Sequence, residues 1–272
     1  MLLQRVITAL ILIPLVITGV LYLQTPTLAA LFALIVLLAA WEWAPLAGLT
    51  RFRDRLLFFI TLTAGISGAY WLIQRPTLAL ALFAAASLWW LVVTVILVRY
   101  RPERRVFDSV FGKAVLGVLV LVPAWAALVS IHGFGEKGPV LLLFSMTLTW
   151  VADSGAYFAG RRWGRVKLAP HISPGKTREG VYGALAGSAL WGVLLAWYAP
   201  ELGPLPVLVL FCLLLCLVSV VGDLFESLLK RQAGIKDSGN ILPGHGGVLD
   251  RIDSMLAVAP LFAFGLMLLG GA

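Results

Sequence analysis

The sequence predicts an all-α fold: a polytopic integral membrane protein with about nine transmembrane helices. The chain is 61% hydrophobic and only 12% charged. Apolar runs recur along nearly all of its 272 residues, and most are close to the ~20 residues that a helix needs to cross the hydrocarbon. Runs such as VLVLFCLLLCLVSVV do not alternate between apolar and polar positions. This pattern argues against a membrane-spanning β-barrel, whose strands do alternate.

The apolar runs define the predicted spans. In chain order they are residues 6–23, 27–47, 56–73, 77–98, 112–131, 139–160, 181–199, 204–225 and 252–270. The first run follows Arg5 and resembles a signal peptide. We expect an uncleaved first span instead, because the run is long and a second apolar run follows at once.

The distribution of basic residues predicts the orientation. With a cytoplasmic N-terminus, all but two of the 21 Lys and Arg fall on the inner side, and only Arg75 and Lys137 fall outside. This is a strong positive-inside pattern. The net charge of +8 therefore belongs to loops that flank membrane spans, and it does not indicate a nucleic-acid partner.

Polarity divides the chain into two regions. Residues 1–135 are predicted to be N-terminal transmembrane scaffold helices with short basic loops. Residues 136–272 are predicted to form a catalytic transmembrane region with two long cytoplasmic loops, 161–180 and 226–251. Glu42 lies near the inner end of the second span, where it is either an interfacial residue or a residue that reaches the site.

The first polar segment is Trp150–Gly180, which contains Asp153 near the inner end of the sixth span. A buried carboxylate there needs a cation, either a metal or a basic side chain; a structural ion pair is the alternative. The loop after it carries a basic cluster that suits a polyphosphate, although a loop that only sets topology would also be basic. Its members are Arg161, Arg162, Arg165, Lys167, Lys176 and Arg178.

The SPGKT sequence at 173–177 invites comparison with a phosphate-binding P-loop. That motif requires glycine at position 170, where this chain has Pro170, and a preceding strand, which the sequence does not indicate. We therefore reject the P-loop. A turn that presents backbone N–H groups and Lys176 to a phosphate remains.

The second polar segment lies around the eighth and ninth spans. Asp223 and Glu226 are spaced to share a helix face, and so are Asp250 and Asp253. Carboxylates beside basic residues suit Mg²⁺ with bound phosphates, whereas helix capping is the simpler role for Asp250 or Asp253 alone. Three glycines around His245 would let the backbone approach a ligand closely.

Two motifs carry a family resemblance. The segment SLLKRQAGIKDSGNILPGHGGVLDRID at 227–253 resembles the diagnostic pattern of phosphatidate cytidylyltransferases (CDP-diacylglycerol synthases). ADSGAYFAGRRWGRVKLAPHISPGKTREG at 152–180 is similar to the polar segment of that family. The resemblance implies a Mg²⁺-dependent membrane enzyme that joins CTP to phosphatidate and releases CDP-diacylglycerol and pyrophosphate. It also makes a homodimer plausible. We expect the protein to lie in a bacterial inner membrane, with its site facing the cytoplasm. Membrane lipid would both surround the protein and supply its lipid substrate.

These motifs supply hypotheses for individual roles. Asp223 and Asp250 are the first choices as metal ligands. Asp153 and Asp253 are second-rank candidates, which could bind another cation. Catalytic contacts to the lipid phosphate are assigned to Lys230 and Arg231, whereas a catalytic-base role for His245 is doubtful because the phosphate nucleophile is already ionised. Substrate-binding residues are predicted to be Lys167, Ser173, Lys176, Thr177, Arg178, Lys236, Gly246, Gly247 and Arg251.

Two other functions fit the sequence less well. A CTP-dependent lipid kinase would use similar residues but would transfer the γ-phosphoryl group and would need a base. A transporter would place its polar groups near the bilayer midplane, whereas the polar groups of this chain gather at one face.

Overall fold

The computed structural model describes residues 2–103, 106–241, 244 and 246–270. Nine helices follow one another in this part of the chain: α1 Leu2–Tyr22, α2 Thr25–Ala47, α3 Phe52–Ile73, α4 Pro76–Val98, α5 Val110–His132, α6 Gly138–Trp163, α7 Arg178–Tyr198, α8 Leu205–Gln232 and α9 Leu249–Leu269. Helices α2 to α9 are long and apolar enough to cross a membrane, and α1 contributes a shorter apolar run, Leu10–Tyr22. The predicted all-α membrane fold is confirmed.

Local sequence signals explain where several helices begin and end. Pro76 begins α4, and α2, α6 and α8 also carry a proline in their first turn, where its missing N–H costs nothing. Helix α2 ends at Gly48, whose φ of 83° is the left-handed conformation that glycine adopts readily. Ser109 caps α5 by accepting a hydrogen bond from the Gly112 N–H.

The prediction that residues 161–180 form a loop is wrong. Helix α6 continues to Trp163, and an antiparallel hairpin follows, formed by β1 (Lys167–Ala169) and β2 (Ser173–Thr177). Helix α7 then begins directly after β2, because the Thr177 hydroxyl accepts a hydrogen bond from the Gly180 N–H at 3.1 Å and caps it. The hairpin holds the SPGKT sequence in an extended conformation, which is unlike a P-loop.

Helix α8 also extends past residue 225, where the sequence placed the approximate end of the eighth span. Helix α8 continues to Gln232, so the predicted loop 226–251 begins as helix and ends inside α9. The extension is stabilised by packing, since Leu228 and Leu229 are fully buried. Lys230 and Arg231 lie in its last turn, where positive charge is favourable. The actual connection is residues 233–248.

The two predicted regions pack into one bundle. Helices α5 and α9 form its centre, with 67% and 61% of their most apolar windows buried, against 22% for α3 and α4. Near the second polar segment, Phe225 of α8 is surrounded by Trp43, Trp90 and Phe107 at ring-centroid distances of 5.5–6.3 Å. The N-terminal helices therefore support the helix that carries the second polar segment.

Glycines allow the helices of the C-terminal region to approach one another closely. A side chain at Gly155 in α6 would collide with the backbone of Gly183 in α7, and one at Gly222 in α8 would collide with the carbonyl of Asp253 in α9. Such contacts between small residues are typical of membrane helix packing. They bring the carboxylates of α6, α8 and α9 toward one another.

Candidate active site

A cavity of about 450 Å³ lies between α6, α7, α8 and the hairpin. Its apolar wall includes Ala152, Ala156 and Val181. Its polar lining includes Asp153, Arg161, Lys176, Thr177 and Asp223. The cavity therefore joins the first polar segment to the second, as the sequence predicted.

An ion pair marks the polar end of this cavity. The Lys176 Nζ lies 2.5 Å from the Asp223 Oδ2, and the two side chains are 26% and 27% exposed. Lys176 is the fourth residue of β2, so the hairpin points it at α8. Solvent reaches both charges, and another ion can therefore compete for either partner.

Two further carboxylates approach this pair. Asp153 of α6 is electrostatically coupled to Asp223, Lys176 and Arg251. Asp253 of α9 interacts electrostatically with Asp223, Lys176 and Asp153. We name Asp153, Lys176, Asp223 and Asp253 the cavity cluster. Three of its members are acids and one is a base, so a bound cation would stabilise the ionised carboxylates together.

A second cluster lies deeper between α8 and α9. The Lys230 Nζ donates to the Glu226 Oε2 and the Asp250 Oδ1, both at 2.6 Å. The side chains of Glu226, Lys230 and Asp250 are only 2%, 11% and 5% exposed. We name these three residues the buried cluster. Lys230 offsets one of its two carboxylate charges within the protein.

Backbone groups complete the buried cluster. The N–H groups of Ser238 and Gly247 both donate to the Asp250 Oδ2 at 2.9 Å. Gly246, next to Gly247, has a φ of 83°, which a residue with a side chain would adopt only with strain. Asp250 therefore fixes the connection between α8 and α9. To bind a metal, as the sequence suggested, it would have to exchange these hydrogen bonds.

Glu42 reaches this site from the N-terminal region. Its buried carboxylate accepts hydrogen bonds from the N–H groups of Val248 and Leu249 and from the Ser238 hydroxyl, at 2.8–3.3 Å. The carboxylate is buried against the connection between α8 and α9, which favours the role at the site over the interfacial one. The chain separation of 196 to 207 residues explains why no local signal could decide.

Several other predicted site residues lie around the two clusters. Arg231 is exposed, and its guanidinium donates to the carbonyls of Ile172 and Ile235 at 3.3 Å. Ser173 lies on β2, where it pairs with Ala169. The exposed basic side chains are those of Lys167, Arg178, Lys236 and Arg251. His245 lies outside the described residues, and its predicted role stays a prediction.

Glu226 is a site residue that the sequence analysis did not assign. Its spacing of four residues from Lys230 was the available signal, since such residues are neighbours on a helix. The sequence paired Glu226 only with Asp223, because the residues after Glu226 were predicted as loop. In the structure, one Glu226 oxygen binds Lys230 and the other, buried, has no hydrogen-bond partner.

The carboxylates fit a metal ion only together with a ligand. In the described part of the chain, no three His, Cys, Asp or Glu side chains are close enough to hold a metal by themselves. Mg²⁺ in proteins is usually held by one or two carboxylates plus substrate phosphates and water. The solvent-accessible Asp223, with Asp153 and Asp253 nearby, suits that arrangement.

Known proteins resemble this chain along its whole length. It matches the cytidylyltransferase family over residues 3–269. It is 42% identical to the phosphatidate cytidylyltransferase of Pseudomonas aeruginosa, over 97% of this chain and 96% of that protein. The enzymes of the same name from Haemophilus influenzae and Thermotoga maritima are each 34% identical, over 97% and 94% of this chain and 98% and 93% of theirs.

Proposed function

The chain belongs to the cytidylyltransferase family, and we propose that it is a phosphatidate cytidylyltransferase. It would join CTP to phosphatidate and release CDP-diacylglycerol and pyrophosphate. The observation that carries this proposal is the near-full-length identity of 42% to a protein of that name. The match includes both polar segments.

The cavity suits the two substrates that this reaction brings together. Its apolar wall can hold lipid chains, and its polar end offers Lys176 and Arg161 to phosphate groups. A membrane protein that acts on a lipid and a water-soluble nucleotide needs a site with both characters. The exposed basic residues Lys167, Arg178 and Lys236 at this end would attract the polyanionic nucleotide.

The proposed reaction is an in-line displacement at phosphorus. A phosphate oxygen of phosphatidate forms a bond to the α-phosphorus of CTP, while the bond from that phosphorus to the bridging oxygen breaks and pyrophosphate leaves. The nucleophile is already ionised, so no general base is required. The main barrier is repulsion between two anions, and Lys176 is placed to reduce it.

We propose Mg²⁺ as the cofactor, held by Asp223 with Asp153 and Asp253 nearby. When bound, it would neutralise phosphate charge and help to orient the displacement. Asp250 keeps a role in this proposal as the residue that fixes the connection between α8 and α9. The excess of carboxylates would also accommodate a second cation.

Orientation and assembly complete the proposal. The clusters lie at the end of the bundle that carries most of the basic residues, which we assign to the cytoplasmic face of a bacterial inner membrane. A homodimer is proposed from the family resemblance. Cross-linking of the protein in membranes would test it: the proposal predicts a dimer band, and a monomer at all cross-linker concentrations would contradict it.

Product analysis tests the proposed reaction. Purified protein in detergent is incubated with phosphatidate, Mg²⁺ and CTP labelled at the α-phosphorus, in parallel with CTP labelled at the γ-phosphorus. The α-label should enter the lipid and the γ-label should appear in pyrophosphate, and EDTA should stop both. Transfer of the γ-label to lipid, with α-labelled CDP in the water phase, would indicate a lipid kinase instead.

A further inference from the structure

We propose that Glu42, in the N-terminal region, is a positioning residue for the buried cluster. This inference rests on the proposed function, because the reaction supplies one of its tests. Glu42 does not touch Lys230 or Asp250 in the structure. It would act through the connection between α8 and α9, whose backbone holds Asp250.

Helix α9 has no cap of its own at its start. Its first N–H groups have no partner within the helix, and the residue before it, Val248, provides no side-chain cap. The Glu42 carboxylate accepts from the Val248 N–H at 3.1 Å and from the Leu249 N–H at 2.8 Å. Glu42 therefore caps α9 from another helix, and its negative charge is favourable at that end.

The connection fits closely around this carboxylate. A side chain at Gly239 would collide with the Glu42 oxygens, and one at Gly247 would collide with Glu42 and with the Ser238 hydroxyl. Two segments of backbone thus approach Glu42 more closely than any residue with a side chain would permit. The fit leaves little freedom for the carboxylate or the backbone.

Ser238 links Glu42 to the charged residues. The Ser238 hydroxyl donates to the Glu42 Oε2 at 3.3 Å, while the Ser238 N–H donates to the Asp250 Oδ2 at 2.9 Å. Asp250 in turn binds Lys230 at 2.6 Å. A shift of Ser238 or of the start of α9 would therefore move Asp250 and Lys230 together.

The helix that carries Glu42 is held firmly by its neighbours. The neighbouring residue Trp43 is 1% exposed, and its indole N–H donates to the Lys113 carbonyl at 2.8 Å. Its ring also packs against Phe225, next to Glu226 of the buried cluster. Glu42 is thus held by α2, α5 and α8, and its position is fixed independently of the connection that it binds.

The test compares Glu42→Gln with Glu103→Gln, which changes an exposed carboxylate in the same half of the chain. We expect Glu42→Gln to lower kcat about 10- to 100-fold, the usual range for a supporting residue, with KM for CTP changed much less. Amide hydrogen exchange at Val248 and Leu249 should become faster, while exchange in α5 stays unchanged. Glu42→Asp keeps the charge and should recover part of both properties. Glu103→Gln should match the wild type.

Three results would overturn the proposal. One is a folded Glu42→Gln protein with unchanged kcat. Another is a loss of kcat that only follows the folded fraction, with normal exchange at Val248 and Leu249. The third applies if Glu42→Gln does not fold. Ser238→Ala then serves as the variant, because it removes one hydrogen bond to Glu42 without burying a charge. Unchanged kcat and unchanged amide exchange in Ser238→Ala would overturn the proposal.

The same experiment separates this inference from the proposed function. If wild-type protein makes no labelled lipid, the proposed function fails, whereas hydrogen exchange still reports whether Glu42 fixes the start of α9. If wild-type protein is active and the Glu42 variants behave like the wild type, the positioning role fails and the proposed function stands.

Discussion

The cavity cluster and the buried cluster each centre on a lysine between carboxylates, but they differ in how completely those charges are satisfied. Lys176 binds one carboxylate, Asp223, and both side chains are about one quarter exposed. Lys230 binds two carboxylates, and Asp250 also accepts two backbone N–H groups. One cluster is open to ligands, and the other is closed.

This difference suggests a division of roles. Charges that remain solvated can exchange their partners for phosphate or metal at little cost, whereas buried charges lose strong interactions if a partner leaves. We therefore assign substrate binding and chemistry to the cavity cluster. The buried cluster would hold α8, α9 and their connection in the arrangement that the chemistry requires.

Asp223→Asn should give the largest effect on activity. The variant removes the charge of the solvent-accessible carboxylate that faces both Lys176 and the cavity, and we expect kcat to fall about 100-fold or more. Its thermal unfolding in detergent should resemble that of the wild type, because the residue is partly solvated. The steady-state rate of lipid labelling measures the first effect, and near-normal turnover would refute the assignment.

Asp250→Asn should differ by affecting stability as well as turnover. The change leaves Lys230 with one carboxylate and weakens two backbone hydrogen bonds, so the free energy of unfolding should fall by about 1–3 kcal/mol. Thermal unfolding monitored by near-ultraviolet circular dichroism checks this. A variant as stable as Asp223→Asn would remove the distinction between the two clusters.

Lys176→Met should have a moderate effect that is specific to the nucleotide. A hydrogen bond to a charged group contributes about 1.5–3 kcal/mol, so KM for CTP should rise at least about tenfold. KM for phosphatidate should change less. Kinetics with each substrate varied in turn provides the measurement. Equal changes in both constants would mean that Lys176 does not select the nucleotide phosphates.

Glu201→Gln should have the smallest effect and serves as a control outside both clusters. Glu201 accepts a hydrogen bond from Lys137 at 2.8 Å on an exposed surface, and this bond lowers the pKa of Glu201 from its ordinary value of 4.5. A lowered pKa means that the interaction stabilises the fold above pH 4.5 and is lost as pH falls through the lowered value. The variant should thus unfold at a slightly lower temperature than the wild type at pH 7, and this difference should disappear in acid. Turnover should not change.

The sequence predicted much of the fold, because membrane spans need long apolar runs that are visible without any tertiary contact. It was less successful where tertiary packing decides the structure. The extension of α8 to Gln232 depends on the burial of Leu228 and Leu229, and the β1–β2 hairpin consists of segments too short to leave a periodic pattern.

The site shows the same limit. Spacing on one helix indicated which carboxylates share a face, and the structure brings Asp153, Asp223 and Asp253 near one lysine. Spacing could not show that Asp250 binds Lys230, nor that Glu42 caps α9, since these contacts join distant segments. The separation into an open and a closed cluster is a property of packing.

The most direct test of this account labels the cavity wall. Ala156→Cys places a thiol in the cavity, and the two native cysteines are buried. Val95→Cys is the matched control, because Val95 lies on α4 and is 50% exposed. A bulky thiol reagent should abolish turnover of Ala156→Cys only, and CTP with Mg²⁺ and phosphatidate should protect it. Full activity of completely labelled Ala156→Cys would show that the chemistry occurs elsewhere.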